Sequence, residues 1–235
     1  MDANGGWYES SYKRTCIGWD MTTIFLSGGG NEIQSVELDK AFYDSLMNKK
    51  ILYIPLARSN DKYLSCKEWF TKIFAGFGQV TIRMVTTFEE LTDLDFEIFD
   101  GIYMGGGNTY RLIHGLRQYG IVEKIRRYTG RIYGGSAGAI VLGKVIKTAE
   151  LTDENPGLPD VAGLSKLQDL SIACHVKESM INQLVALHIP ILALSESAGV
   201  IWDEKFLHLT GTGPVWIIRD EISERIFLKT KIGSL

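Results

Sequence analysis

The strongest constraint on how this 235-residue chain folds is a repeated alternation. Short apolar runs that end in glycine or another small residue are each followed by a stretch with helical spacing. TTIFLS runs into Gly28-Gly29-Gly30 and is followed by SVELDKAFYDSLMN; KKILYIPLA is followed by DKYLSCKEWFTKIFAGFG, with Trp69, Ile73 and Phe74 on one stripe. VTIRMV precedes a short acidic helix at TFEELTD, and FDGIYMGGG precedes the helical segments NTYRLIHGLRQYG and IVEKIRRYTG. RIYGGSAGAIVLGK then reads as strand, sharp turn and helix. Strands alternating with helices at this spacing predict an α/β fold, a mostly parallel sheet covered on both faces.

After Lys147 the rhythm changes. TAELTDENPGLPDVAGL is a long loop rich in Gly, Pro and Asp, and loops of that length are more often functional or disordered than idle. DLSIACHV predicts another strand and ESMINQLVALH another helix. The tail (ILALS, GVIWDE, FLHLTG, PVWIIRD, RIFLK) predicts short antiparallel hairpins at the sheet edge. Residues 1–20 lack periodicity and read as an N-terminal extension, which leaves 21–235 as a single domain.

Composition excludes several classes of function. The 25 Lys and Arg against 28 Asp and Glu give a net charge of −3, without the basic surplus that phosphate backbones demand, so nucleic acid is not an expected partner. No apolar run approaches the ~18 residues of a membrane span. Cys16, Cys66 and Cys174 form neither a disulfide framework nor a CxxC zinc pattern, so a cytoplasmic protein without a metal site is expected.

The sharpest local signal is Gly134-Gly135-Ser136-Ala137-Gly138-Ala139, between an apolar strand and a helix. Small residues on both sides let the chain turn without a Cβ clash. The turn projects Ser136 at the carboxyl end of the sheet and aims the first helical N–H groups, that of Ala137 among them, at an anion forming beside it. A serine that merely caps the helix is the plain alternative. A nucleophilic serine needs a base, and the base needs an orienting acid. Of the four histidines, His114, His188 and His208 read as structural. His175 closes the strand DLSIAC and reaches the edge where ligands of open α/β sheets collect. The acid is expected from the long loop between serine and histidine, with Glu150, Asp153 and Glu154 as choices. Gly105-Gly106-Gly107-Asn108 offers a second oxyanion amide from a neighbouring strand end; it fits neither GxGxxG nor a P-loop.

MGGGNTYRL, GGSAGAIVLGK and the strand-end histidine of IACHV together resemble the dipeptidase E and cyanophycinase serine peptidases, from about Thr22 to the C-terminus. The resemblance implies a flavodoxin-like, glutamine amidotransferase-like three-layer sandwich. It also implies Ser136 as nucleophile, His175 as base, Asp153 or Glu154 as acid, with Asp153 preferred, and Gly106 and Ala137 as oxyanion donors. The expected activity is hydrolysis of a short peptide through an acyl-enzyme, without metal or organic cofactor. Another amide, an isopeptide or an ester is the alternative substrate, and a binding protein that keeps the fold without turnover is the alternative of a different class. Aspartyl dipeptidases carry a basic, glycine-containing stretch soon after the histidine. VKESMINQLVALH has only Lys177 there, which sets specificity for N-terminal aspartate apart from the rest of the resemblance. Arg58 in PLARSND is a further cation, read first as a solvated loop residue.

Overall fold

Five parallel strands make the centre of the fold: β1 (Ile24–Ser27), β2 (Lys50–Ile54), β3 (Thr81–Met84), β4 (Gly101–Met104) and β5 (Arg131–Gly135). The structure, a computed structural model, describes residues 22–203, 206–219 and 222–226; the extension expected over 1–20 lies outside the described residues. Between the strands run α1 (Val36–Ser45), α2 (Tyr63–Phe77), α3 (Thr109–Gln118) and α4 (Val122–Arg127), and α5 (Ala137–Leu142) follows β5. An antiparallel hairpin, β8 (Ala198–Trp202) and β9 (Leu207–Gly211), extends the sheet beyond β1, giving the order β3-β2-β4-β5-β1-β8-β9.

Because side chains alternate along a strand, each central strand feeds two cores. Tyr53, Tyr103 and Tyr133 face α1 and α2, where they meet Phe42, Phe70 and Phe74. Ile54, Ile102, Met104 and Ile132 face α3, α4 and α5. The first core is mostly aromatic, with Leu38, Leu46 and Ile51 among the rings. Tyr103 stacks on Tyr133 at 4.1 Å and Tyr53 on Phe70 at 4.0 Å, while Phe42 meets Phe25, Phe74, Tyr103 and Tyr133 edge-on. Such pairs contribute about 0.5–1.5 kcal/mol each beyond the burial of their surface.

A second sheet, in the order β11-β10-β7-β6, holds β6 (Ser171–Ala173), β7 (Ile191–Leu194), β10 (Val215–Arg219) and β11 (Ile222–Ile226). Its Ile172, Leu192, Leu194 and Val215 join the main core. Ala173, Ile191, Ala193 and Trp216 pack on the other side with Ile181 and Leu184 of α6 (Ile181–Val185). Here the structure departs from the sequence expectation: only β8–β9 forms a hairpin at the main sheet's edge, and the DLSIAC strand belongs to the second sheet. The reason is burial. β6 and β7 are buried along their whole length, and the second sheet gives them cover on both faces, the main core on one side and α6 on the other. The long loop after α5 is also tied down, by a 3-10 turn over Lys147–Leu151 and a bridge between Val145 and Ala162.

Two outcomes are expected of this core. Phe42→Ala, which empties the centre of the aromatic cluster, should cost about 3–5 kcal/mol in urea denaturation. Asp39 of α1 is 1% exposed, and burial raises its carboxyl to about 6, against the opposing pull of the Tyr133 and Ser35 hydroxyls. The folded state therefore holds this proton at pH values where the unfolded chain has released it. The contribution of this one group to stability is greatest below pH ~4 and is lost as pH rises through about 6, by roughly 3 kcal/mol. In Asp39→Asn this component of the pH slope between 4 and 7 should disappear, whatever the variant's absolute stability.

Candidate active site

At the end of β5 the chain reverses within one residue. Ser136 holds φ 49° and ψ −108°, a conformation costing on the order of 1–3 kcal/mol that persists only where the surroundings enforce it. The enforcement is visible. The Ser136 amide donates to the Ser27 carbonyl at 3.2 Å, and the Ser136 carbonyl accepts from the amides of Ala139 and Ile140 at 2.8 and 2.9 Å. Gly138 lies so close to β4 that a Cβ there would stand 2.1 Å from the Met104 carbonyl oxygen, which explains the small residue at that position. The Ser136 hydroxyl makes no capping bond to α5. Its Oγ lies 2.8 Å from Nε2 of His175.

His175 reaches the serine from the second sheet. It follows β6 with φ 57°, its amide donating to the Gly28 carbonyl at 2.9 Å, while the next amide, of Val176, donates to Leu194 at 3.0 Å. The imidazole lies against Gly29, where φ is 103° and a Cβ would come within 2.3 Å of the ring. Nδ1 of His175 is 3.1 Å from Oε1 of Glu196, in the turn between β7 and β8. A neutral ring protonated on Nδ1 donates to Glu196 and leaves Nε2 to accept the serine proton. The Glu196 backbone is fixed to the same glycine turn, its carbonyl accepting from the Gly30 amide at 3.0 Å. The Glu196 side chain is 56% exposed, so water weakens its hold on the imidazole.

Thus Ser136 and His175 come together as expected, but the carboxylate on the imidazole is that of Glu196. Asp153 and Glu154 line the same cleft, and no bond joins either of them to the imidazole among the described residues. Asp153 Oδ2 accepts from the Thr109 amide at 2.7 Å, at the start of α3, where unpaired amides favour a carboxylate. The Glu154 carbonyl accepts from Asn108 Nδ2 at 3.0 Å. Both bonds tie the long loop to the glycine turn after β4. Glu196 carried a signal of the same kind as His175: it stands just beyond the end of an apolar strand, ILALS. Cys174 is buried, with its thiol 3.6 Å from the Ser27 carbonyl and 3.7 Å from that of Ser136; burial pushes the thiol well above its ordinary range and leaves it protonated. His208 pairs with Asp203 at 3.1 Å in the hairpin.

Gly106 packs against the serine, and a Cβ on it would lie 3.4 Å from Ser136 Cβ. Among the described residues the amides of Gly106 and Ala137 have no protein acceptor. Ser136, His175 and Glu196 open onto a cleft of about 1020 Å³, which Arg58, Lys177 and Asp153 also line. That volume accommodates a short peptide. Among the described residues no group of three or more His, Cys, Asp or Glu side chains is arranged to hold a metal ion, and no helix is long and apolar enough to cross a membrane.

Comparison with known proteins places this chain in a wider group. The sequence model of peptidase family S51 matches residues 23–211. A peptidase E of Nostoc sp. is 34% identical over 106 residues, which cover 43% of this chain and 42% of that relative, so the matched stretch spans less than half of that relative's length. An uncharacterized peptidase of Listeria monocytogenes is 26% identical over 174 residues, 70% of this chain and 82% of the relative. Among solved structures, a Listeria monocytogenes protein provisionally assigned as peptidase E superposes with a TM-score of 0.67 at 21% identity, over 82% of this chain and 99% of that one. A peptidase from an acI-B1 actinobacterium gives 0.66 at 16% identity, over 92% and 98%. These two likenesses show the fold.

The contact between Gly29 and the imidazole has a measurable consequence. Gly29→Ala should push the ring off Ser136 Oγ and slow modification of the serine by an alkyl fluorophosphonate on the order of 10²-fold. An unchanged circular dichroism spectrum would separate this from unfolding, and an unchanged labelling rate would show that the ring tolerates the intrusion.

Proposed function

This chain belongs to peptidase family S51, and from that premise we propose that it is a serine peptidase that hydrolyses short peptides through an acyl-enzyme. The observation that carries the reading is the continuous chain Ser136 Oγ, His175 Nε2, His175 Nδ1 and Glu196 Oε1, with contacts of 2.8 and 3.1 Å. A serine that only capped a helix would not account for a strained backbone and an imidazole on its hydroxyl. In the proposed reaction Nε2 takes the hydroxyl proton as Oγ attacks the peptide carbonyl carbon. Glu196 stabilises the imidazolium that forms. The carbonyl oxygen, now negative, is held by the amides of Gly106 and Ala137. The imidazolium then gives its proton to the leaving amine, the C–N bond breaks, and an ester joins the acyl group to Ser136. Water, deprotonated by His175, attacks that ester and restores the free hydroxyl.

The cleft carries charges of both signs, Arg58, Lys62 and Lys177 against Asp153, Glu154 and Glu196. The reading therefore specifies a short peptide and its amide bond, without requiring an N-terminal aspartate. The absence of a basic surplus leaves nucleic acid outside it.

Product release from a mixed dipeptide and isopeptide library, followed by mass spectrometry, tests this reading. Wild type should cleave a subset of members, and Ser136→Ala and His175→Ala should each lose about 10³-fold or more. Glu196→Gln should lose less, on the order of 10- to 10²-fold, because its carboxylate is exposed. Equal cleavage by wild type and Ser136→Ala would remove the serine from the reaction. An intact rate in Glu196→Gln alongside a lost rate in Asp153→Asn would return the acid to the long loop.

A further inference from the structure

We propose that Arg58 is a positioning residue for the active site, whose guanidinium holds the Gly106–Gly107 peptide in its working orientation. The proposal rests on the serine peptidase reading: the Gly106 N–H offered to the oxyanion belongs to the preceding Gly105–Gly106 peptide, and Arg58 acts on the carbonyl on the other side of that residue, keeping its dipole away from Ser136. Its ground is the way the turn after β4 is anchored. The Gly105 amide donates to the Ile54 carbonyl at 3.0 Å, and the Asn108 amide donates to the Ala57 carbonyl at 2.9 Å. The two ends of the turn are therefore clamped by backbone to the end of β2. The peptide between them lies between two glycines, the residues that least resist rotation. Its carbonyl, that of Gly106, is held by a side chain: Arg58 Nε donates to it at 3.1 Å. Arg58 is itself placed by its amide, which donates to the Pro55 carbonyl at 2.9 Å.

Rotation of this peptide matters because of where Gly106 sits. It packs on Ser136, with only 3.4 Å between the Ser136 Cβ and the position of a Gly106 Cβ. Gly107 has φ 145°, and a Cβ there would lie 2.4 Å from the Ala57 carbonyl oxygen, so the turn is pressed against the β2 end and has little freedom except at the 106–107 peptide. Released from Arg58, the carbonyl dipole is free to swing toward the serine, where partial negative charge opposes the developing oxyanion. A charge-assisted bond from a planar guanidinium fixes direction as well as distance, which a lysine ammonium does less well. Arg58 is exposed, so its replacement leaves the core intact.

Steady-state rates of Arg58→Met and Arg58→Lys should be measured on two substrates. One is the dipeptide that wild type cleaves fastest; the other is the p-nitroanilide of its first residue, which has no carboxylate. An alkyl fluorophosphonate reports the reactivity of Ser136 directly. Arg58→Met should lower kcat about 10- to 10²-fold on both substrates, leave KM within about threefold, and slow labelling in parallel. Arg58→Lys should fall between, and millimolar methylguanidine should restore part of the rate to Arg58→Met. An unchanged kcat in Arg58→Met would overturn the proposal. So would a KM increase confined to the dipeptide, which would make Arg58 a carboxylate-binding group. A wild type that neither cleaves nor is labelled would bring down the serine peptidase reading itself, a result distinct from either.

Discussion

The glycine turn after β1 is the point on which the geometry of the site depends. Its Gly28 carbonyl accepts the His175 amide and its Gly30 amide reaches the Glu196 carbonyl, while the Gly28 amide donates to Ala198 at 3.0 Å. Ser27, just before the turn, receives the Ser136 amide. One strand end thus sets the relative positions of three groups that come from two sheets and lie far apart in sequence. The bonds are backbone bonds, which fix atoms more firmly than exposed side chains do. This explains how an imidazole that stands on a different sheet from the serine arrives within 2.8 Å of it.

The same arrangement shows where stability opposes function. Ser136 and His175 both hold positive φ, at 49° and 57°, where non-glycine residues lose on the order of 1–3 kcal/mol each. The cores on either side of the sheet supply the margin. Tyr103 and Tyr133 stack one step below the turns after β4 and β5, so the aromatic cluster buttresses the strand ends from which Gly106 and Ser136 project. Part of that support is itself costly. Asp39, buried beside Tyr133, is a carboxyl that burial keeps protonated to about pH 6. Its ionisation above that value works against the folded state.

What was legible in the sequence was local. The GGSAG spacing marks the turn because sterics within six residues demand it, and the alternation of strands and helices marks the parallel sheet for the same reason. His175 was legible as a residue at a strand end, although its strand belongs to the second sheet, because the site needs the end of the strand and not its neighbours. Glu196 was hidden for a different reason. Asp153 and Glu154 stand in the long polar loop between serine and histidine, where the order of the chain predicts an orienting acid. The strand-end rule that found His175 would have pointed past it, to the glutamate after ILALS. Asp153 occupies a position that looks identical in sequence, an acid near the site, yet its carboxylate is used by the Thr109 amide. Only the tertiary structure separates a carboxylate that orients a histidine from one that holds a helix start.

That use of Asp153 ties the loop to the chemistry in a second way. Asn108 bonds to Glu154 through its side-chain amide and to the Arg111 amide through its side-chain oxygen, so the turn carrying Gly106 is held from the loop side as well as from β2. The glycine turn needs this bracing because it has no side chains of its own with which to pack. A site that offers backbone amides to an oxyanion must leave them unpaired within the protein, and it then needs other groups to keep those peptides from turning. Here the loop holds the far end of the turn, the end of β2 holds both flanks, and the residues between are free to face Ser136. The long segment after α5, which supplies no part of the serine–histidine–glutamate chain, is in this sense part of the proposed active site.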